Sequence, residues 1–307
     1  MTPMNRRVTG PLLVSLGAAG WGAENLFRSR LRALGLAAYP IVVVEHVLQV
    51  IYTLPHLWLH RRLIAVVPRR ALGYVFLSGA VGSALGTACY TAALGTSMNK
   101  TVAAVLLNLQ PVVSTLAGAL LLRERIPRPF FVWAPVAVLA GMAIAVPGEG
   151  GLGALRLSAQ GGLLLVLATV AMWGLATTAG RGAMRDLPLG LATPLRLWAG
   201  LLTASLVLAV RLALGSDAWD PGAFLSRGAV ENMLLLTTLT GVLPLVVYFA
   251  GLRTTPASLA GYCEMFYTLS ATFVGWAVFG EKLWPHQIAA GLVLIVAIAM
   301  LNRAKLV

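Results

Sequence analysis

Charge is scarce in this sequence. Only 11% of its 307 residues are Asp, Glu, Lys or Arg, against 59% hydrophobic. That composition excludes a soluble globular domain and points to an all-α polytopic membrane protein. Acids are scarcer still, with 10 Asp and Glu against 23 Lys and Arg, a formal charge of +13. The excess does not make a nucleic-acid partner, because the basic residues stand in short clusters between long apolar runs, where membrane boundaries place them. Cysteine is nearly absent. Cys89 and Cys263 lie far apart in apolar segments, which excludes a disulfide framework and a metal-ligand spacing and leaves both as small core residues. A metal-binding "HExxH" helix, a nucleophile elbow and a phosphate loop are also missing. No cofactor or metal is expected, and a membrane-embedded enzyme is only a remote alternative.

What the sequence does have is apolar runs of membrane-crossing length. With a window of about 20 residues, ten spans are expected: Val8–Phe27, Ala38–Leu59, Ala71–Leu94, Asn99–Leu122, Arg128–Val146, Ser158–Gly180, Gly190–Leu214, Ala229–Leu252, Pro256–Gly280 and Trp284–Asn302. Residues 1–7 and 303–307 are then short tails, and 148–157 links two halves, 8–147 and 158–302. Arg6 and Arg7 before the first run imitate a signal peptide, but that run has a counterpart later in the chain. An even number of spans puts both termini on one side. Arginines such as Arg61, Arg62, Arg69, Arg70, Arg181 and Arg253 gather there, so both termini are expected in the cytoplasm. Arg28, Arg30 and Arg32 break that rule locally. The preference for arginine over lysine, with abundant alanine and leucine, fits a GC-rich bacterial genome and hence a bacterial inner membrane.

The halves repeat. "AGWG" (Ala19 to Gly22) answers "AMWG" (Ala171 to Gly174), and "YTAALGTS" from Tyr90 answers "YFAGLRTT" from Tyr248. Gly79, Ser83, Gly86 and Tyr90 fall on one face of an α-helix, and Thr237, Gly241, Pro244 and Tyr248 recur at the same spacings. "LLLRERIPRP" aligns with "AVFGEKLWPH", placing Glu124 over Glu281. Five spans per half is an odd number, so the halves enter the membrane from opposite sides. Such inverted repeats are an architecture of alternating-access transporters. These landmarks, with "NLQPVVSTLAGALLLRERI" and "YTLSATFVGWAVFGEKL" ending the fourth span of each half, resemble the EamA-type domains of the drug/metabolite transporter superfamily over nearly the whole chain. The resemblance implies a central cavity lined by the first four helices of each half, with the fifth and tenth outside. It also implies a secondary carrier, most often an exporter of metabolites or amino acids. Glu24, Glu45, His46 and Glu264 match no general family motif, so their roles rest on physics alone.

Ionisable groups inside a span are costly and face a cavity or a partner. By helical rise, Glu24 lies about 9 Å and Glu45 about 4 to 5 Å outward of their midpoints, and Glu264 about 6 Å inward. The acids bracket the midplane. Glu45, Gln49, Tyr52 and His56 share one helical face, with His46 beside it. That face is either the wall of a watered path to the cytoplasm or a seam of interhelical hydrogen bonds. Asn25 adjoins Glu24, and Asn108 precedes the helix-bending Pro111; both are candidate cavity amides. Trp21, Trp173, Tyr90, Tyr248 and Tyr267 stand away from the expected interfaces, as cavity walls or as core filling. Arg196 lies at a depth close to that of Glu264 and is its candidate partner, which would leave Glu24 and Glu45 without a basic partner except His46. Glu124 and Glu281 each end a span and are expected to cap the amides of the following helix.

Together these residues suggest a secondary active exporter that moves a small cationic or zwitterionic metabolite, such as an amino acid, an amine or a lipophilic cation, by alternating access. A membrane-embedded carboxylate would exchange protons or hold the cationic group. An uncoupled facilitator or exchanger is the alternative. The expected partners are a small molecule, the lipid bilayer and protons, with the chain a monomer or homodimer.

Overall fold

In lipid every backbone N–H and C=O must find an internal partner, and a chain of long apolar runs meets that demand as helix. The computed structural model describes residues 3–94, 96, 100–146, 161–280 and 282–304. Among these there is no strand, and the helical segments fall into ten rods. Rod 1 runs through Pro3–Gly20, a 3₁₀ turn at Trp21–Ala23 and Glu24–Ala33. Rod 2 is Ala38–His60. Rod 3 joins Arg69–Leu77, a π-helical stretch at Ser78–Gly86 and Thr87–Leu94. Rod 4 joins Lys100–Leu107 and Gln110–Leu122, and rod 5 is Phe130–Ala145. Rods 6 and 7 are Gly161–Ala183 and Leu189–Ala213. Rod 8 joins Arg227–Thr237, a π-helical stretch at Thr238–Val242 and Leu243–Leu252. Rod 9 joins Ala257–Glu264 and Phe266–Phe279, and rod 10 is Pro285–Ala304.

Each expected span has a rod over it. Among the described residues seven helices, in rods 2, 3, 4, 6, 7, 8 and 10, are long and apolar enough to cross a membrane by length and composition. Rod 5 is apolar but shorter, rod 1 carries charges and a 3₁₀ turn, and rod 9 is divided at Met265. The outward faces are apolar, with Leu120, Phe131, Leu164, Leu206 and Leu292 exposed, a surface fit for lipid and not for water. The expected linker 148–157 lies outside the described residues.

Interruptions recur at matching places. Rods 3 and 8 each contain a π-helical stretch, a feature that concentrates at functional sites. Rod 4 tightens at Asn108 and Leu109, whose amides reach back three residues to Val105 and Leu106 just before Pro111, which has no amide to give. Rod 9 tightens likewise at Met265, whose amide reaches Tyr262. Rods 4 and 9 both end in a left-handed residue, Arg123 at φ 53° and Gly280 at φ 67°. Their amides close on the carbonyls of Gly118 and Gly275.

The π-helical stretches correct the expectation of one plain α-helical face. Gly79 abuts the Arg196 carbonyl on rod 7, where an added Cβ would stand at 2.2 Å, while Gly86 abuts the Trp173 ring on rod 6 at 2.7 Å. Between the halves, rod 1 packs on rod 8, rod 3 on rod 6, rod 2 on rod 7, rod 4 on rod 9 and rod 5 on rod 10. Exchanging the halves maps this set of pairings onto itself.

Candidate functional site

A cavity of about 150 Å³ lies among the rods. Its walls come from rods 1 to 4 and 6 to 9, and no described residue of rods 5 or 10 contributes. Trp21, Glu24, Glu45, His46, Gln49, Asn108, Trp173, Arg196, Tyr248, Glu264 and Tyr267 all line it, so most of the expected site residues meet in one place.

The first polar cluster joins rods 1 and 2. Arg28 donates from Nε to Glu24 Oε1 at 2.5 Å and from Nη2 to Glu45 Oε2 at 2.7 Å, and Gln49 Nε2 donates to Glu45 Oε1 at 3.1 Å. Arg28 is 1% exposed. The expectation that Glu24 and Glu45 lack a basic partner is therefore wrong. Glu24 and Arg28 are one helical turn apart on rod 1, and the neighbouring rod 2 brings Glu45 to the same guanidinium. The signal was present, since Arg28 continues the Trp21 and Glu24 face, but its position at the end of the apolar run made it look like an interfacial charge. His46 pairs Nδ1 with the Val42 carbonyl at 2.8 Å, and its Nε2 is buried without a partner.

The second cluster centres on Glu264. Tyr248 Oη donates to Oε1 at 2.6 Å and Thr177 Oγ1 at 2.8 Å, while Gln110 Nε2 donates to Oε2. One carboxylate thus ties rods 4, 6, 8 and 9. The expected ion pair with Arg196 does not form. Arg196 donates from Nε to Ser83 Oγ at 2.9 Å on rod 3, and its Cζ lies 5.3 Å from the centroid of the Phe249 ring. Gln110 and Thr177 were missed by sequence reasoning, and Ser83 was read only as part of a helical face, because single amides and hydroxyls occur throughout apolar helices and periodicity does not say which of them a charged group will reach.

Asn25, beside Glu24 in "GWGAENLF", donates to Tyr267 Oη at 2.8 Å and accepts from Tyr90 Oη at 3.3 Å. It holds rods 1, 3 and 9 together one layer behind the wall, and neither Asn25 nor Tyr90 lines the cavity. That corrects their expected placement as cavity residues. Asn108 Oδ1 accepts from Thr268 Oγ1 at 3.1 Å. The aromatics form two mixed pairs, Trp21 with Tyr248 at 5.0 Å and Trp173 with Tyr90 at 5.3 Å between centroids. Each tryptophan comes from the first rod of one half and its tyrosine from the third rod of the other. The expected rod 2 stripe divides: Glu45 and Gln49 face the cavity, whereas Tyr52 and His56 line an outer groove with Leu16, Pro244 and Val247.

Glu124 is a cap, though not of the helix expected. Its carboxylate accepts from the backbone amides of Ala257 and Ser258 at 2.9 and 3.0 Å and from Ser258 Oγ at 2.8 Å. These belong to the start of rod 9, across the interface between the halves, and not to the adjacent rod 5. Glu281 lies outside the described residues. Cys89 and Cys263 are free thiols.

Comparison with known proteins fits this geometry. The family model described as "EamA-like transporter family" matches residues 8–146 and 160–303. A curated relative, the riboflavin transporter ImpX of Fusobacterium nucleatum subsp. nucleatum, is 26% identical over 98% of this chain and 99% of its own. A protein of known crystal structure, 16% identical, superposes with a TM-score of 0.72 over 95% of this chain and 96% of its own, a likeness of fold.

Proposed function

The chain belongs to the EamA-like transporter family, a membrane transporter and not an enzyme, and from that premise we propose that it carries a small amphipathic metabolite by alternating access across a bacterial inner membrane. The observation that carries this reading is the cavity walled by eight rods from both halves, with Glu264 reaching four of them. The symmetric rod pairings and matched helix breaks support ten spans in two inverted repeats around that cavity, with both termini cytoplasmic.

Glu264 is the proposed coupling residue. Glu24 and Glu45 are tied to Arg28, whereas Glu264 has hydrogen-bond donors and no ion-pair partner among the described residues. A carboxylate held only by rotatable donors can trade them for a proton or for a substrate ammonium group. Competition between those two would drive substrate outward against entering protons, in keeping with the export that the family resemblance implies. With Glu24 and Glu45 tied to Arg28, the charges left on the cavity wall are Glu264 and Arg196, one of each sign, which supports a zwitterionic or neutral substrate over a bare cation. The rings of Trp21, Trp173, Tyr248 and Tyr267 on the cavity wall support a planar or ring-bearing body, and the relative named a riboflavin transporter makes riboflavin the neutral compound to assay beside amino acids and amines.

The test is transport of radiolabelled riboflavin, amino acids and amines in proteoliposomes under an imposed pH gradient. The protein should move at least one of them faster when the gradient is applied, and Glu264→Gln should erase that response. Full gradient-driven transport by Glu264→Gln would remove the coupling role.

A further inference from the structure

The cavity wall holds two arginines with opposite situations. Arg28 is saturated with negative charge, one carboxylate on Nε and another on Nη2. Arg196 has none. Its Nε is fixed by Ser83 Oγ at 2.9 Å and its plane lies by the Phe249 ring. Neither terminal nitrogen meets a hydrogen-bond partner among the described residues, and neither is among the buried unpartnered atoms sealed off by packing. Both therefore open onto the cavity that Arg196 lines. Gly82 lies beside them, its Cβ position 3.6 Å from Arg196 Nη2, an ordinary van der Waals distance.

We propose that Arg196 is the subsite for a carboxylate on the transported molecule, which would dock on its two free terminal nitrogens. The inference rests on the carrier reading above and deepens it by naming one end of the substrate. A guanidinium presents planar, parallel N–H groups that match the two oxygens of a carboxylate. A cation held away from water inside a membrane protein is expensive without a counter-charge, and the chain supplies Arg196 with a hydroxyl and a ring instead. Anchoring Nε on Ser83 fixes the plane of the fork and leaves the Nη1 and Nη2 edge for the ligand. Glu264 is the acid expected from sequence to neutralise Arg196, and its oxygens are taken by Tyr248, Thr177 and Gln110. The other groups in contact with the arginine are the Phe249 ring, Ser83 and the glycines of rod 3, Gly79 and Gly82, and within electrostatic reach but not paired to it stand Glu264, Tyr248 and His46.

The test is binding of phenylacetate and of its uncharged isostere phenylacetamide to the full chain in detergent, by calorimetric titration at constant pH. The ring suits the aromatic walls, and the two probes differ only in the group Arg196 would meet. Phenylacetate should bind at least about tenfold more tightly than the amide, as a charge-assisted bidentate contact implies. Arg196→Gln should remove that preference, and Arg196→Lys should restore only part of it, since lysine returns the charge without the fork. Should Arg196→Gln fail to fold, Ser83→Ala serves, because it frees the guanidinium without removing it. It should lower phenylacetate affinity severalfold and leave phenylacetamide unchanged. Equal binding of the two probes, binding of neither by the folded wild-type protein, or a preference that survives these substitutions would overturn the assignment. Titration needs no transport, so equal binding of the two probes by the wild-type protein indicts the subsite, whereas failure to move any solute in proteoliposomes indicts the carrier reading.

Discussion

Arg28 Nη2 donates to Glu45 Oε2 at 2.7 Å inside the protein, and the same guanidinium holds Glu24 at 2.5 Å. This contact turns two acids of the sequence from free groups into parts of one buried ion cluster. Breaking such a cluster by removing one member leaves buried charge behind, which costs more than removing all of it. Arg28→Gln alone should destabilise the protein by about 3–5 kcal/mol. The triple substitution Glu24→Gln, Arg28→Met, Glu45→Gln should cost clearly less. Thermal unfolding midpoints in one detergent compare the two, and a triple variant that melts below Arg28→Gln would contradict the cluster.

Glu124 supplies both carboxylate oxygens to the free amides that open rod 9. Glu124→Ala should therefore lower stability by about 1–2 kcal/mol, the usual range for a lost N-terminal cap. The loss should be local. Hydrogen exchange should quicken at Ala257 and Ser258, although Glu124 lies in the other half of the chain, and no change there would disprove the cap across the interface.

Arg123 and Gly280 occupy matching left-handed ends of rods 4 and 9. Glycine takes that conformation without steric cost, whereas other residues lose about 1 kcal/mol or more. Arg123→Gly should raise the melting midpoint and Gly280→Ala should lower it. Shifts of the same sign would show that backbone conformation does not control these ends.

Ten spans in inverted halves require both chain ends on one face. In a background with Cys89→Ser and Cys263→Ala, single cysteines added at the two termini should both react with a membrane-impermeant maleimide only after the cytoplasmic side is exposed. Labelling of the two ends from opposite faces would refute the arrangement.

Several levels of this protein were legible before any coordinates. Hydropathy and length anticipated an all-helical chain in which seven of the described helices are long and apolar enough to cross a membrane, because in lipid an apolar run has to satisfy its own backbone. The repeated "WG" and "E-[RK]" landmarks marked out two halves, and the polar faces of rods 1, 2 and 4 brought Trp21, Glu24, Glu45, Gln49 and Asn108 to one cavity. The errors have a common origin. Arg196 and Glu124 were each given a partner by nearness in depth or in sequence and each found a different one, while Arg28 was counted as a charge at the membrane boundary and instead holds Glu24 and Glu45.

The sequence by itself determined that the chain is helical, sits in lipid, comes in two related halves and carries polar side chains toward a shared interior. Periodicity and hydropathy are properties of single helices, and a single helix is enough to fix them. Tertiary structure alone decided which acid is neutralised by Arg28, which helix Glu124 caps, and that Arg196 is left facing the cavity without a carboxylate. Those outcomes depend on the rotation and offset of one helix against another, where a few ångströms decide whether a charge reaches its counter-charge, and sequence spacing along either helix does not contain that information.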